Sequence, residues 1–354
     1  MINVLVVDDS ALVRKILTEI IIKTRGLFLS AVAMDPVFAI DRLKTFKVDV
    51  IILDIEMPRM DGLTFLRRLM TSMPTPVIIL SSLATKNADV TLQAFEYGAF
   101  DVITKPEDIL ELPELEERLV STIRQAAGSD VKAKLVRQFK KASAPEALKT
   151  IHTMSAFTGR TKTTNKIIVI GSSTGGTTAI QEILSGLPVD IPGIVIVQHM
   201  PVQFTEAFAK RLDSLLPFTV KLAESGEQIQ SGFVYIAPGD VHCSISASGA
   251  RSLLKLRDGP RVNYHRPSVS MLFNSVANYA ARNAIGIMLT GMGDDGAKAM
   301  KMMKEAGSYN IVQDEASSVV WGMPGKAFEC GAADVVLPLD RIASEICQVL
   351  KRIK

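Results

Sequence analysis

The chain has 354 residues, 47% hydrophobic and 22% charged, with a formal net charge of +3. That length predicts two domains, each large enough for its own core. The charge is too small to argue for nucleic acid, no apolar run approaches the ~18–20 residues of a membrane span, and the opening stretch from Met1 to Asp9 reads as a strand without a signal-peptide layout.

Residues 1–127 repeat a strand-then-helix rhythm. Short apolar runs at 3–7, 30–33, 48–53, 77–80 and 101–104 read as buried strands. Helical patterns occupy 10–24, 36–46, 61–72, 87–97 and 113–127, the last with Leu115, Leu119 and Ile123 on one stripe. Strands alternating with helices imply a doubly wound parallel sheet, with ligands at the carboxyl ends of its strands.

Those ends carry the polar residues of interest. Asp8 and Asp9 follow the first strand and Asp54 the third; Ser81 follows the fourth and Lys105-Pro106 the fifth. One Asp at a strand end reads as a solvated loop or a helix cap. The whole set on one rim reads differently, because clustered carboxylates repel unless a cation neutralises them. Hard oxygen donors suit Mg²⁺. A carboxylate beside bound Mg²⁺ can accept a phosphoryl group, with Lys105 and Ser81 on its oxygens.

Over 1–127 the chain resembles a response-regulator receiver. The resemblance implies Asp54 as phosphoacceptor and Asp8 and Asp9 as the acidic Mg²⁺ pair. It makes Ser81 the switch hydroxyl and Lys105 the partner lysine. Val102 departs from the pattern, since many receivers carry an aromatic residue three positions before the lysine.

Residues 128–165 are rich in Lys, Ser, Thr and Ala. Val131, Leu135, Val136 and Phe139 fit one face of a short helix, and 141–165 reads as a solvated, basic hinge. His152 lies in it.

Residues 166–354 form a second α/β unit. Strands are expected at 167–170, 194–197, 219–222, 233–236, 284–289, 310–313 and 335–337, and helices at 177–185, 204–215, 269–280, 297–306 and 340–352. The runs 242–245 and 252–256 read as a β-hairpin. The three cysteines, Cys243, Cys330 and Cys347, lack metal-ligand spacing, so free buried thiols in a cytoplasmic protein are expected.

Between the first strand and helix of this unit stands Gly171-Ser-Ser-Thr-Gly-Gly176. The spacing Gly171-x-Ser173-x-Gly175 fits a nucleophile elbow. It fits equally an anion cradle or mere tight packing. A P-loop would need Lys where Thr177 stands, and a dinucleotide fingerprint would need Gly where Ser173 stands. Ser173 as nucleophile needs a base. Of the four histidines, His199 sits at a strand end in the neighbouring element, whereas His242 and His265 fall in or near the hairpin. The base needs an acid. The strand at 284–289 runs into Thr290-Gly-Met-Gly-Asp-Asp-Gly296, which presents Asp294 and Asp295; one of them could cap the next helix. Ser, His and Asp in that order exclude the α/β-hydrolase fold, whose order is Ser, Asp, His.

Over nearly its full length the chain is similar to the chemotaxis protein-glutamate methylesterase (CheB) family. The matching stretches are Gly171–Gly176, Gln198-His-Met-Pro201, Tyr235-Ile-Ala-Pro-Gly-Asp240, His265-Arg-Pro-Ser-Val269, Leu289–Gly296 and Gly322-Met-Pro324. The resemblance implies hydrolysis of γ-glutamyl methyl esters on methyl-accepting chemotaxis receptors, and deamidation of receptor glutamines. It assigns the nucleophile to Ser173, the base to His199 and the acid to Asp295. Oxyanion donors are expected from the backbone near Thr174 and Met292. Ser172 stands where the family usually has Ala, and Asp294 where it usually has Asn.

The expected architecture is α/β: an N-terminal flavodoxin-like (βα)5 receiver over 1–127, a linker over 128–165, and a C-terminal doubly wound, Rossmann-like parallel sheet with a β-hairpin over 166–354. The expected phosphodonor is the chemotaxis histidine kinase CheA. Mg²⁺ is expected for receiver phosphorylation and no cofactor for the esterase, with neither nucleic acid nor direct membrane insertion. Two other output classes compete: a non-catalytic nucleotide- or receptor-binding domain, and a DNA-binding regulator. Absence of a helix-turn-helix pattern argues against the latter.

Overall fold

A computed structural model describes residues 1–81, 88–105, 112–128, 131–143, 166–249 and 251–352. The chain forms two compact units, Met1–Pro145 and Glu146–Lys354.

The first unit is one parallel sheet of β1 (Ile2–Val7), β2 (Leu27–Ala33), β3 (Val50–Asp54), β4 (Val77–Ser81) and β5 (Asp101–Thr104), in the order β2-β1-β3-β4-β5. Helices α1 (Ala11–Lys23), α2 (Pro36–Thr45), α3 (Gly62–Ser72), α4 (Ala88–Glu96) and α5 (Leu112–Ala126) alternate with the strands. This is the flavodoxin-like order expected. The central strands are apolar runs because helices cover both sheet faces. Val4–Val7 and Val50–Leu53 are accordingly buried throughout. Strand β2 begins at Leu27, earlier than residue 30. It lies at the sheet edge with Phe28 exposed, so its apolar signal is broken. Ser10, Asp35 and Asp61 cap α1, α2 and α3 through side-chain oxygens, each worth about 1 kcal/mol.

Helix α6 (Val131–Ser143) occupies the start of the expected linker, and Val131, Leu135 and Phe139 form its buried stripe. It is the short helix expected ahead of the hinge, running on to Ser143, and it packs on α5 within the first unit. Residues 129, 130 and 144–165 of the expected linker, His152 among them, lie outside the described residues, as does Pro106.

The second unit is a parallel sheet of seven strands in the order β14-β13-β12-β6-β7-β9-β8. They are β6 (Ile167–Ser172), β7 (Ile194–Gln198), β8 (Thr219–Leu222), β9 (Phe233–Ile236), β12 (Ala284–Met288), β13 (Tyr309–Gln313) and β14 (Val335–Leu337). From β6 the chain builds outward through β7 to β9 and β8. From β12 it builds the other way. The switch point therefore lies between β6 and β12. Helices α7 (Gly176–Ser185), α8 (Val202–Leu215), α9 (Val269–Tyr279), α10 (Ala297–Glu305), α11 (Met323–Glu329) and α12 (Leu339–Arg352) flank it. In α12 the buried Ile342, Ile346, Val349 and Leu350 form a helical stripe.

Helix α11 was not expected, because Met323-Pro-Gly325 reads as a breaker. Its proline sits in the first turn, where no donor is lost. The hairpin is longer than expected: β10 (His242–Ser248) and β11 (Arg251–Arg257) pair down to Ser248 opposite Arg251. It forms its own two-stranded sheet, with Ile245 and Leu254 in the core of the unit.

Candidate active site and candidate phosphorylation site

Three strand ends of the second sheet meet across its switch point. The ladder between β12 and β6 runs on past the strands: Leu289 N–H donates to the Gly171 carbonyl at 2.9 Å, and Ser173 N–H to the Thr290 carbonyl at 3.1 Å. On the other side Ser172 pairs with Gln198, and His199 N–H donates to the Ser172 carbonyl at 3.1 Å. Ser173, His199 and the Thr290–Gly296 loop thus adjoin through main-chain bonds. Gly291 must be glycine, since a Cβ there would lie 2.8 Å from Ser173 Cβ.

His199 Nε2 lies 2.9 Å from Asp295 Oδ2. Both side chains are buried, at 6% and 1% exposure. Asp295 sits on the N-terminus of α9, where free N–H groups and the helix dipole favour an anion. Val269 N–H donates to Oδ2 at 2.7 Å. Oδ1 accepts from Ser268 Oγ at 2.8 Å, Ser270 Oγ at 2.6 Å and Asn263 Nδ2 at 3.0 Å. Burial alone would raise this carboxyl. The His199 hydrogen bond and charge, with Ser270 and Ser268, outweigh it and hold Asp295 well below the usual carboxylate range. Asp294 is exposed, and neither Asp caps α10: Gly296 stands at the cap.

His199 and Asp295 are therefore brought together. Ser173 and His199 adjoin by backbone, but among the described residues the second ring nitrogen, Nδ1, is buried without a hydrogen-bond partner. Ser173 keeps 9% of its surface exposed. Thr174 is buried, its carbonyl accepting from Thr290 Oγ1 at 2.9 Å, and Met292 is half-buried beside Gly291. Ser172 is fully buried and turned away to Gln198.

Sequence reading missed several neighbours. His265 stacks on His199, ring centroids 3.6 Å apart and nearly parallel. Arg266 holds the loop behind it, its guanidinium donating to Asp240, Asp258 and the Gly259 carbonyl. Ser268, Ser270 and Asn263 were also missed. The signal lay in His265-Arg-Pro-Ser-Val269, a serine followed by a helical pattern, which marks a helix N-terminus able to hold an anion.

In the first unit the acidic residues gather at the switch point between β1 and β3. Asp8, Asp9 and Asp54 can place carboxylate oxygens within 4.8 Å of one another. Asp8 and Asp54 are buried at 1% and 4% exposure; Asp9 is exposed. Lys105 Nζ bridges the buried pair, 2.8 Å from Asp8 and 2.7 Å from Asp54. Burial pushes the Asp54 carboxyl above its ordinary range, and Lys105 only partly offsets this. Burial opposes the Lys105 charge too, yet its bonds to Asp54 and Asp8 hold the ammonium above its ordinary value. Ser81 is buried at the end of β4, and its carbonyl accepts from Lys105 N–H at 2.8 Å. Two buried carboxylates against one ammonium leave negative charge unbalanced, and the donors are all hard oxygens, so the set fits Mg²⁺.

Fold and sites together define an α/β protein in which a receiver accompanies a hydrolase-type sheet. Family models agree: CheB methylesterase matches residues 168–346, and response regulator receiver domain matches residues 4–116. A protein-glutamate methylesterase/protein-glutamine glutaminase of Chromobacterium violaceum is 47% identical over 98% of this chain and 99% of its own length. One from Albidiferax ferrireducens is 49% identical over 97% of this chain and 92% of its own. The crystal structure of the Thermotoga maritima CheB methylesterase catalytic domain has a TM-score of 0.51 and 42% identity, covering 52% of this chain and 98% of that one. The chain belongs to the CheB protein-glutamate methylesterase family.

Proposed function

We propose that the protein hydrolyses γ-glutamyl methyl esters on methyl-accepting chemotaxis receptors, and deamidates receptor glutamines, under control of receiver phosphorylation. The buried His199–Asp295 pair beside Ser173 carries the chemical part of this reading. Ser173 Oγ attacks the ester carbonyl carbon. His199 takes the hydroxyl proton on Nδ1, the nitrogen that Asp295 leaves open. Asp295 orients the ring and balances its charge. Backbone N–H groups near Thr174 and Met292 receive the oxyanion. His199 returns the proton to leaving methanol, or to ammonia from an amide. Water then adds to the acyl carbon, with His199 again as base, and releases the glutamate and Ser173.

Asp54 is the phosphoacceptor, supplied by the phosphohistidine of the chemotaxis histidine kinase CheA. Asp8, Asp9 and Asp54 would hold Mg²⁺, which supplies positive charge for the phosphoryl oxygens. Lys105 and Ser81 contact those oxygens and pass the change to the β4 and β5 ends. Methanol release from methylated receptor membranes, with and without a phosphodonor, tests the whole reading. Release that persists unchanged in Ser173→Ala would contradict it.

A further inference from the structure

At the carboxyl ends of β6 and β7 the parallel register sets Ser172 beside Gln198. Paired residues share a sheet face. Here they meet: Ser172 Oγ donates to Gln198 Oε1 at 2.7 Å. With its oxygen engaged, the Gln198 carboxamide turns its nitrogen to two main-chain carbonyls. Nε2 donates to the Ser173 carbonyl at 2.9 Å and to the His199 carbonyl at 3.1 Å. The group is buried, Ser172 at 0% and Gln198 at 3% exposure. Gly176 makes the room, because a Cβ there would lie 2.2 Å from Gln198 Oε1.

We propose that Gln198 is a positioning residue for the ester hydrolysis. Its one carboxamide sets the separation of the Ser173 and His199 backbones, and Ser172 holds that carboxamide the right way round. The proposal rests on Ser173 and His199 being nucleophile and base. A single NH₂ group spends both hydrogens on the two residues that must approach each other. Rotating the amide would set Oε1 against two carbonyl oxygens, so the orientation is determined by the network. Removing the Ser172 hydroxyl leaves a buried acceptor without its donor. Removing the carboxamide takes from both carbonyls the one donor they share, leaving the Ser173 carbonyl only its bond from Gly176 N–H at 2.8 Å, and displacing reacting groups by about 1 Å can cost ~100-fold in rate.

The test measures kcat and KM for methanol release on the full chain. Gln198→Met should lower kcat about 10–100-fold with KM within about twofold. Ser172→Ala should lower kcat about threefold. In the Gln198→Met background Ser172→Ala should change nothing more, because its partner is gone. Parental kcat in Gln198→Met, a loss appearing in KM instead, or additive losses in the double variant would overturn the proposal. Should Gln198→Met fail to fold, Ser172→Ala decides alone, and an unchanged kcat overturns it. Ser173→Ala run in parallel separates the two levels. Activity retained there sinks the nucleophile assignment, whereas a dead Ser173→Ala beside a fully active Gln198→Met sinks only the positioning role.

Discussion

His199 Nε2 and Asp295 Oδ2 meet at 2.9 Å with both side chains buried, while the neighbouring Asp294 side chain is exposed. The doubled Asp therefore divides into one buried partner and one surface residue. Asp295→Asn should lower kcat by on the order of 10³–10⁴, since an amide cannot balance the imidazolium. Asp294→Asn should change it by less than about twofold, as befits an exposed side chain. Methanol-release kinetics on both variants check this. Equal losses would contradict the division.

The same carboxylate should set an acid limit on stability. Burial pushes Asp295 up, but His199 and the α9 serines hold it well below its ordinary value of 3.8. A depressed carboxyl contributes stability that is fully present above the unfolded value and is lost as pH falls toward the folded one. Below about pH 4 the parent should therefore lose stability more steeply than Asp295→Asn. Denaturant unfolding of both proteins across ~pH 3–7 measures it. Parallel curves would contradict the assignment.

In the receiver, Lys105 sits between two buried carboxylates. Burial makes the Asp54 charge costly, so Asp54→Asn should fold and melt no lower than the parent at neutral pH. It should take up no phosphoryl group from a phosphohistidine donor with Mg²⁺. Phosphate transfer and thermal melting check the two halves. Labelling of Asp54→Asn at the parental rate would place the phosphoacceptor elsewhere.

The cysteines should separate by burial. Complete burial pushes the Cys243 thiol up to about 12, and burial raises Cys347 as well. Cys330 is only half-buried, which corrects the expectation of three buried thiols. Alkylation of the native protein at about pH 8 should mark Cys330 first, since the thiolate is the reactive form. Peptide mass spectrometry reads the order. Labelling of Cys243 as fast as Cys330 would contradict the burial.

Much of this was legible along the chain, and the limits have physical causes. Central strands are continuous apolar runs because both faces are covered, so β1, β3 and β6 stood out. Helix α11 was hidden by Pro324 and Gly325, residues that break helices except at their start. Strand ends placed Ser173, His199 and Asp295 on one rim. What surrounds them joins residues far apart. Ser268 and Ser270 reach Asp295 across more than twenty positions, and His265 stacks on His199 from a different loop. The inward turn of Ser172 depends on strand register with Gln198, which one strand read alone does not contain.

The central claim is that Ser173, not its neighbour, forms the bond to substrate. Ser172 lies fully buried and bonded to Gln198, whereas Ser173, just past the end of β6, keeps 9% of its surface exposed. The most direct measurement is initial methanol release from methylated receptor membranes by the parent, Ser173→Ala and Ser172→Ala at equal concentration. Ser173→Ala should lose activity by ~10³-fold or more, while Ser172→Ala stays within about a factor of three of the parent. A dead Ser172→Ala beside an active Ser173→Ala would contradict the account and place the nucleophile one residue earlier.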